Sequence, residues 1–397
     1  MNTSTNRLTT TFAALALALC SACVGGVGRR PDYARPLPEG AEALIRLQTD
    51  DRRPDFRTQW IERRQILPAL DESIQWTAKP SARKHFPKAG VSHDLAERSL
   101  LRFREVLMSS RSSAEFVQLL DKEFDVYRRA GWDGRGGGVL FTGYCTPILA
   151  GSLERTTTYR YPLYSLPPDL LKGEDGSILG QQTASGVRPY PSRRNIERRG
   201  LLEGQGLEIA WLADPIDAFI AHVNGSAVVQ LPDGELLRLG YAGKNGLPYS
   251  SLREALERSG QIEPGDPGLP ALRAWAARSS SETVQRFLHR NDSYVFFTEI
   301  SGTPHGSLNV PVTGERTLAT DKSLFPRGAL VFVDTRVPSG AGEAKVPFRR
   351  FMLDQDTGGA IRTAGRADIY LGVGDEAELR AGTTAAEGQL YYLFLKR

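Results

Sequence analysis

Three aspartates in the C-terminal third sit where turns meet strands, and each could hold or pass a proton. Asp356 follows the apolar run Phe351-Met-Leu353 and enters Thr357-Gly358-Gly359-Ala-Ile361, a pattern that predicts strand, tight turn, strand. Glycines there suit backbone torsions or close approaches that a side chain forbids. Asp321 opens a Pro/Gly turn ending at Gly328, ahead of the strand Ala329-Leu-Val-Phe-Val333, and Asp368 begins the stretch Asp368-Ile-Tyr370. If these segments meet, three carboxyls share one site, cannot all ionise freely, and at least one pKa rises. A carboxyl group so placed can act as a general acid near neutrality. Asp354 and Asp375 read instead as solvated turn acids.

Other chemistries find less support. Asp356-Thr357-Gly358 spells the aspartic-protease triplet, but it occurs once, and that reaction needs two carboxylates sharing a proton. The glycine run Gly134 to Gly138 lacks the Lys-Ser/Thr ending of a phosphate loop, and a strand rather than a helix is expected after it. No Gly-x-Ser-x-Gly elbow is present, and Cys145 on an apolar strand reads as an inert core thiol. The five histidines show no metal-ligand pair, so no metal and no cofactor are expected. With 50 basic and 46 acidic residues the net charge is only +4, which gives no bulk attraction to nucleic acid.

The elements that must position these groups read mainly as β with flanking helices. The 397 residues allow a large core, and 40 glycines with 24 prolines favour strands and turns over a helical bundle. Residues 1–23 read as a targeting segment: Arg7, the Ala/Leu core Phe12 to Leu19, then Ser21-Ala22-Cys23. Small residues before Cys23 point to a lipoprotein signal, with Cys23 lipidated and the protein tethered at a membrane surface. Residues 24–59, rich in Gly, Arg and Pro, read as a tether with a few docked residues. Apolar spacing predicts a helix over 93–108 and a second, capped by Ser112 or Ser113, over 114–129 with Phe124 and Val126 on its apolar face. A strand follows at Val139 to Pro147, and 148–291 looks like a separate module. Within it Pro232-Asp-Gly234 is a hairpin turn and Asn245-Gly246 another, where Tyr241 and Lys244 could offer a stacking face and a donor to sugar hydroxyls. From residue 292 onward short apolar strands alternate with Pro/Gly turns, the pattern of a small barrel.

Taken together, these segments resemble the family of membrane-bound lytic murein transglycosylase A, with its C-terminal three-aspartate domain. The matching pieces are Ala319-Thr-Asp321 with Pro326 and Gly328, Asp356-Thr-Gly-Gly-Ala-Ile361 and Ala367-Asp-Ile-Tyr-Leu-Gly372. Upstream lie Thr142-Gly-Tyr144-Cys-Thr146-Pro147, Tyr161-Pro-Leu-Tyr164, Asn224-Gly-Ser226 and Tyr241-Ala-Gly-Lys244-Asn245-Gly246. The resemblance implies a double-psi β-barrel from residues 60–147 and 292–397, with 148–291 inserted and a glycan groove between them. It implies cleavage of the β-1,4 bond between N-acetylmuramic acid and N-acetylglucosamine in peptidoglycan, leaving a 1,6-anhydro end. Asp356 would be the single acid and base, with Asp321 and Asp368 holding its pKa up or orienting it. Thr142, Tyr144, Thr146, Asn224, Ser226, Tyr241, Lys244, Asn245, Gly358 and Gly359 would line the sugar groove. Peptidoglycan strands are the implied partner, other cell-wall enzymes are further candidates, and the implied location is the periplasmic face of the outer membrane. The competing expectation is a cell-wall-binding lipoprotein without turnover, since Asn224, Ala227 and Cys145 depart from the family's usual residues.

Overall fold

The computed structural model describes residues 31–173, 178–263, 268–340 and 343–397. The expected signal segment, Cys23 and the first part of the tether lie outside them. Three strands come first: β1 (Leu44–Arg46), β2 (Phe124–Arg129) and β3 (Val139–Thr146). Six strands of the central module follow in β4 (Ile148–Ser152), β5 (Tyr161–Tyr164), β6 (Leu170–Lys172), β7 (Ile178–Thr183), β8 (Gly186–Arg188) and β9 (Glu208–Leu212). The module ends with β10 (Ala227–Gln230), β11 (Leu236–Lys244) and β12 (Val295–Glu299). The last group is β13 (Thr317–Ala319), β14 (Leu330–Pro338), β15 (Lys345–Asp356), β16 (Arg366–Val373) and β17 (Ala385–Leu395).

Two sheets organise the chain. The first runs β1-β2-β17-β14-β15-β13-β16-β3, and β3 pairs back onto β17, so six strands close into a ring. Two pairings in that ring, β13–β15 and β16–β3, are parallel; the rest are antiparallel. The second sheet runs β12-β11-β10-β4-β9-β5, and a bridge from Ser165 to Phe297 draws its two ends together.

Strand β14 shows why the last section packs as it does. Val331 and Val333 point into the ring, beside Met352, Ile369 and Tyr392, while Leu330 and Phe332 point outward beneath the helices. Both faces of a period-two strand are therefore buried, which explains its unbroken apolar run. Outside the ring Phe351 meets Phe56, Phe103 and Phe332 at ring distances of 5.1, 5.0 and 5.2 Å, under the helices Leu67–Thr77 and His93–Ser109.

Three expectations change. Leu44–Arg46 and Phe56 are not tether: the strand pairs with β2, and Leu44, Leu47 and Phe56 are buried. Apolar side chains spaced through a Pro- and Arg-rich stretch had enough area to dock. The second helix stops at Glu123, with Ser112 as its cap, and Phe124–Arg129 is a strand. Its Phe, Val and Tyr suit a sheet, and pairing with β17 overrides the helical spacing. Val295–Glu299 belongs to the module's sheet, not the ring, because it pairs antiparallel with β11 and buries Val295 and Phe297 in the module's core.

Candidate active site

Strand register brings two of the three aspartates together. Ala319 of β13 lies opposite Asp356 of β15 on one side and Asp368 of β16 on the other. The two acids are thus two strand spacings apart, on the order of 10 Å between backbones. The β13–β15 register slips between Leu318 and Ala319, a bulge that takes Gln355 out of step. Gln355 turns away to the Ala69 carbonyl and the Ser73 hydroxyl, fully buried, while Asp356 stands at the strand end. Bulges re-aim side chains in this way.

Asp356 is half-buried and lines a cleft of about 410 Å³ between the ring and the module. Its Oδ1 accepts the Ser307 amide at 2.7 Å and the Thr357 amide at 2.8 Å; its Oδ2 accepts the Tyr144 hydroxyl at 2.8 Å. Burial pushes its pKa above the ordinary carboxylate value, against the pull of those three donors and of the Lys322 charge. Gly306 makes this cradle possible: a Cβ there would stand 3.0 Å from the Gln355 carbonyl and 3.1 Å from Asp356 Cγ. Asp356 is the only carboxylate among the described residues lining the cleft.

Asp368 sits behind it. Burial raises its pKa to about 6, Thr142 donates to it against that trend, and the Asp356 charge adds a smaller upward push. One of its oxygens is buried without a partner, as suits a protonated acid. Thr142 lies in register with Asp368 on β3 and works there, not on the cleft wall.

Asp321 departs from expectation. It is buried, and its carboxylate accepts the Ser323 amide and hydroxyl at 3.0 and 2.6 Å and the Thr363 amide at 2.9 Å. Burial acts to raise its pKa, but those bonds and the Arg362 charge outweigh it and hold the group below the usual range. It makes no hydrogen bond to Asp356 or Asp368 and anchors the loop 361–363 instead. Asp354 is no solvated turn acid either. It is fully buried and accepts Thr320 Oγ1, the Tyr392 hydroxyl and the Lys322 ammonium. A two-residue offset from Asp356 on a strand whose inner face is core forced it inward.

The remaining groups divide between cleft and support. Tyr144, Asn224, Ser226, Tyr241, Lys244, Gly358 and Gly359 line the cleft. Tyr241 is half exposed and offers an open aromatic face. The Asn224 amide is already committed, donating to the Ile220 carbonyl and accepting the Cys145 amide. Thr146 is fully buried and ties Ser226 Oγ to the Tyr370 hydroxyl at 3.1 and 2.9 Å. Asn245 is also buried: it donates to the Pro191 and Asp292 carbonyls and accepts the Tyr294 amide, so it staples the module and does not face ligand. Cys145 is buried with its pKa pushed up by desolvation, hence an unreactive thiol. Sequence reasoning missed Tyr370, Ser307, Arg362, Tyr249 and Arg193 as wall residues. Tyr370 alone carried a signal, because it lies two residues from Asp368 on the same strand face.

Comparison with known proteins places both parts of the chain in one family. The model of the MltA specific insert domain matches residues 140–298, and that of the 3D domain matches residues 316–394. Membrane-bound lytic murein transglycosylase A of Escherichia coli is 32% identical over 272 residues, covering 68% of this chain and 69% of that protein. The Vibrio cholerae protein of the same name is 30% identical over 269 residues, covering 67% and 68%. Among solved structures, the membrane-bound lytic murein transglycosylase of Agrobacterium tumefaciens superposes with a TM-score of 0.72 at 28% identity, covering 89% of this chain and 98% of that one. The E. coli protein MltA with bound chitohexaose superposes at 0.67 and 25% identity, covering 91% and 98%. Through these shared domains and this extent of identity, the chain belongs to the membrane-bound lytic murein transglycosylase A family.

Proposed function

We propose that the protein is a peptidoglycan lytic transglycosylase that cuts the bond between N-acetylmuramic acid and N-acetylglucosamine and leaves a 1,6-anhydro end. The observation that carries this reading is the lone carboxylate of the cleft. Glycoside hydrolysis ordinarily uses two carboxyl groups flanking the scissile bond, one to protonate and one to attack or to activate water. Where only Asp356 faces the ligand, the second role falls to the substrate. Protonated Asp356 gives its proton to the leaving oxygen as the bond from C1 breaks. The muramoyl 6-hydroxyl then attacks C1, and the Asp356 carboxylate takes that hydroxyl's proton. Atoms balance without water, and the acid ends as it began.

The support around Asp356 fits both halves of the cycle. Burial favours the protonated form before reaction, while Tyr144, Ser307 and Thr357 stabilise the carboxylate formed in mid-reaction. Asp368 is a positioning group, bonded to Thr142 and titrating near 6 because of its burial. The six-stranded ring with its two parallel pairings supports a double-psi β-barrel, with the module from about residue 148 to 299 inserted in it. Tyr241 would stack on a sugar face.

The membrane-bound relatives support membrane association, and lipidation at Cys23 would supply the anchor to the outer membrane. Among the described residues no helix is long and apolar enough to cross a membrane. The test is mass spectrometry of purified sacculi digested with the protein. 1,6-Anhydromuropeptides are expected; reducing ends, or saturable binding without products, defeat the reading.

A further inference from the structure

The cleft beside Asp356 carries a charge imbalance. Three cations line it, Arg193, Lys244 and Arg362. Arg193 is matched from behind: it is buried and bonds Glu197 at 2.8 Å and the Ser293 carbonyl at 3.0 Å. The other two are matched loosely or not at all. Lys244 ends β11 on the module side, half-buried, and no hydrogen bond or ion pair holds its ammonium among the described residues. Arg362 stands on the ring side, in the loop after Asp356. It is 57% exposed and only loosely approached by Asp321 at 3.8 Å, an acid already occupied by Ser323 and Thr363. The two cations feel one another: burial first, and then the Arg362 charge, pull the Lys244 pKa below its ordinary value. In the mechanism proposed above Asp356 gives little relief, since burial favours its neutral form.

Lys244 is partly buried with no counter-ion and Arg362 has only a distant one, so two cations facing one cavity favour a ligand that brings the opposite sign. We propose that Lys244 and Arg362 form a carboxylate-binding subsite that selects acid-bearing amino-sugar strands over neutral ones. The inference rests on the glycan-cleaving reading above and deepens it. Each muramoyl unit bears a lactyl acid, free or extended by a peptide with carboxylates of its own; a chito-oligosaccharide has neither. A guanidinium and an ammonium on opposite walls can take one carboxylate between them, with the planar guanidinium supplying paired N–H donors.

The full chain carrying Asp356→Asn, to keep ligands uncut, is titrated calorimetrically with three probes. They are peptide-free murein strands with free lactyl carboxylates, the same strands with those carboxylates amidated, and chitohexaose. The subsite predicts about tenfold or more tighter binding of the free-acid strands, a preference that falls as salt is raised. Lys244→Gln/Arg362→Gln erases that preference, weakening the free-acid strands at least about tenfold more than chitohexaose, while Lys244→Arg keeps it. Equal binding of free-acid and amidated strands, or an equal loss for all three ligands in the double variant, overturns the proposal. Arg362→Gln alone, at an exposed position, gives the same readout should the double variant fold poorly. Cleavage of sacculi by the unaltered chain is followed in parallel. Preference without cleavage defeats the catalytic reading alone, and cleavage without preference defeats the subsite alone.

Discussion

Asp356 and Asp368 are both pushed above the ordinary carboxylate range, yet they face different tasks. Asp356 meets the cleft, and in the proposed mechanism its proton leaves and returns. Asp356→Asn is expected to lower turnover on sacculi by about a hundredfold to ten-thousandfold, the usual worth of a general acid, with thermal stability retained. Product chromatography beside a melting curve checks both. Tyr144 favours the ionised form of Asp356 by donating to it. Tyr144→Phe should therefore raise the acid's pKa and move the alkaline limb of kcat/KM to higher pH. A limb that stays put, or moves down, removes Tyr144 from that role. For Asp368 the consequence is in stability. Its folded pKa of about 6 exceeds the unfolded value, so the folded state holds the proton more tightly. Its effect on stability is neutral below the unfolded pKa, turns unfavourable as pH rises toward 6, and levels off above, a loss of roughly 3 kcal/mol. Asp368→Asn should flatten that decline in urea titrations run between pH 4 and 7.

At the scale of elements, the end of β15 decides the site. Its alternation sends Asp354 into the ring, Gln355 out under the helix Leu67–Thr77, and Asp356 to the rim, with the bulge making the last turn possible. The buried Lys322–Asp354 pair beneath this rim is a support whose halves depend on each other. Lys322→Met leaves a carboxylate uncompensated in the core and should destabilise by about 3–5 kcal/mol, and Lys322→Met/Asp354→Leu should recover much of that. Denaturant midpoints of the two variants measure it; equal midpoints would show that the pair has no such interdependence.

At the scale of the molecule, the cleft exists because the module is held against the ring. Arg273, on the helix Gly268–Arg278, joins Asp217 of the module to Glu378 on the ring's helix Asp375–Thr383. Burial raises the Asp217 pKa in spite of that arginine. Arg273→Met should cost about 1–2 kcal/mol, discounted for partial exposure, and loosen the cleft. The expected kinetic signature is a KM for glycan strands that rises more than kcat falls. An unchanged KM would show that the contact does not set the cleft.

Much of this protein was legible before any coordinates. The unbroken apolar run in β14, a serine cap at 112 or 113, the strand from Val139 and the Pro232-Asp-Gly234 hairpin all follow from local rules, because neighbours in sequence determine them. So did the weight placed on Asp356, where an apolar strand ends in an acid and glycines. Distant contacts decided the rest. Phe124–Arg129 became a strand only because β17 lies beside it, and Asn245 became a staple only because Pro191 and Asp292 surround its amide. The three aspartates looked alike along the chain. Their surroundings separated them: Asp321 is held in its ionised form by donors from its own turn and the 361–363 loop, the Asp368 pKa is pushed up to about 6 by burial, and Asp356 alone of the three faces the cleft. A side chain's type comes with the sequence, but its solvation and its partners are properties of the folded whole.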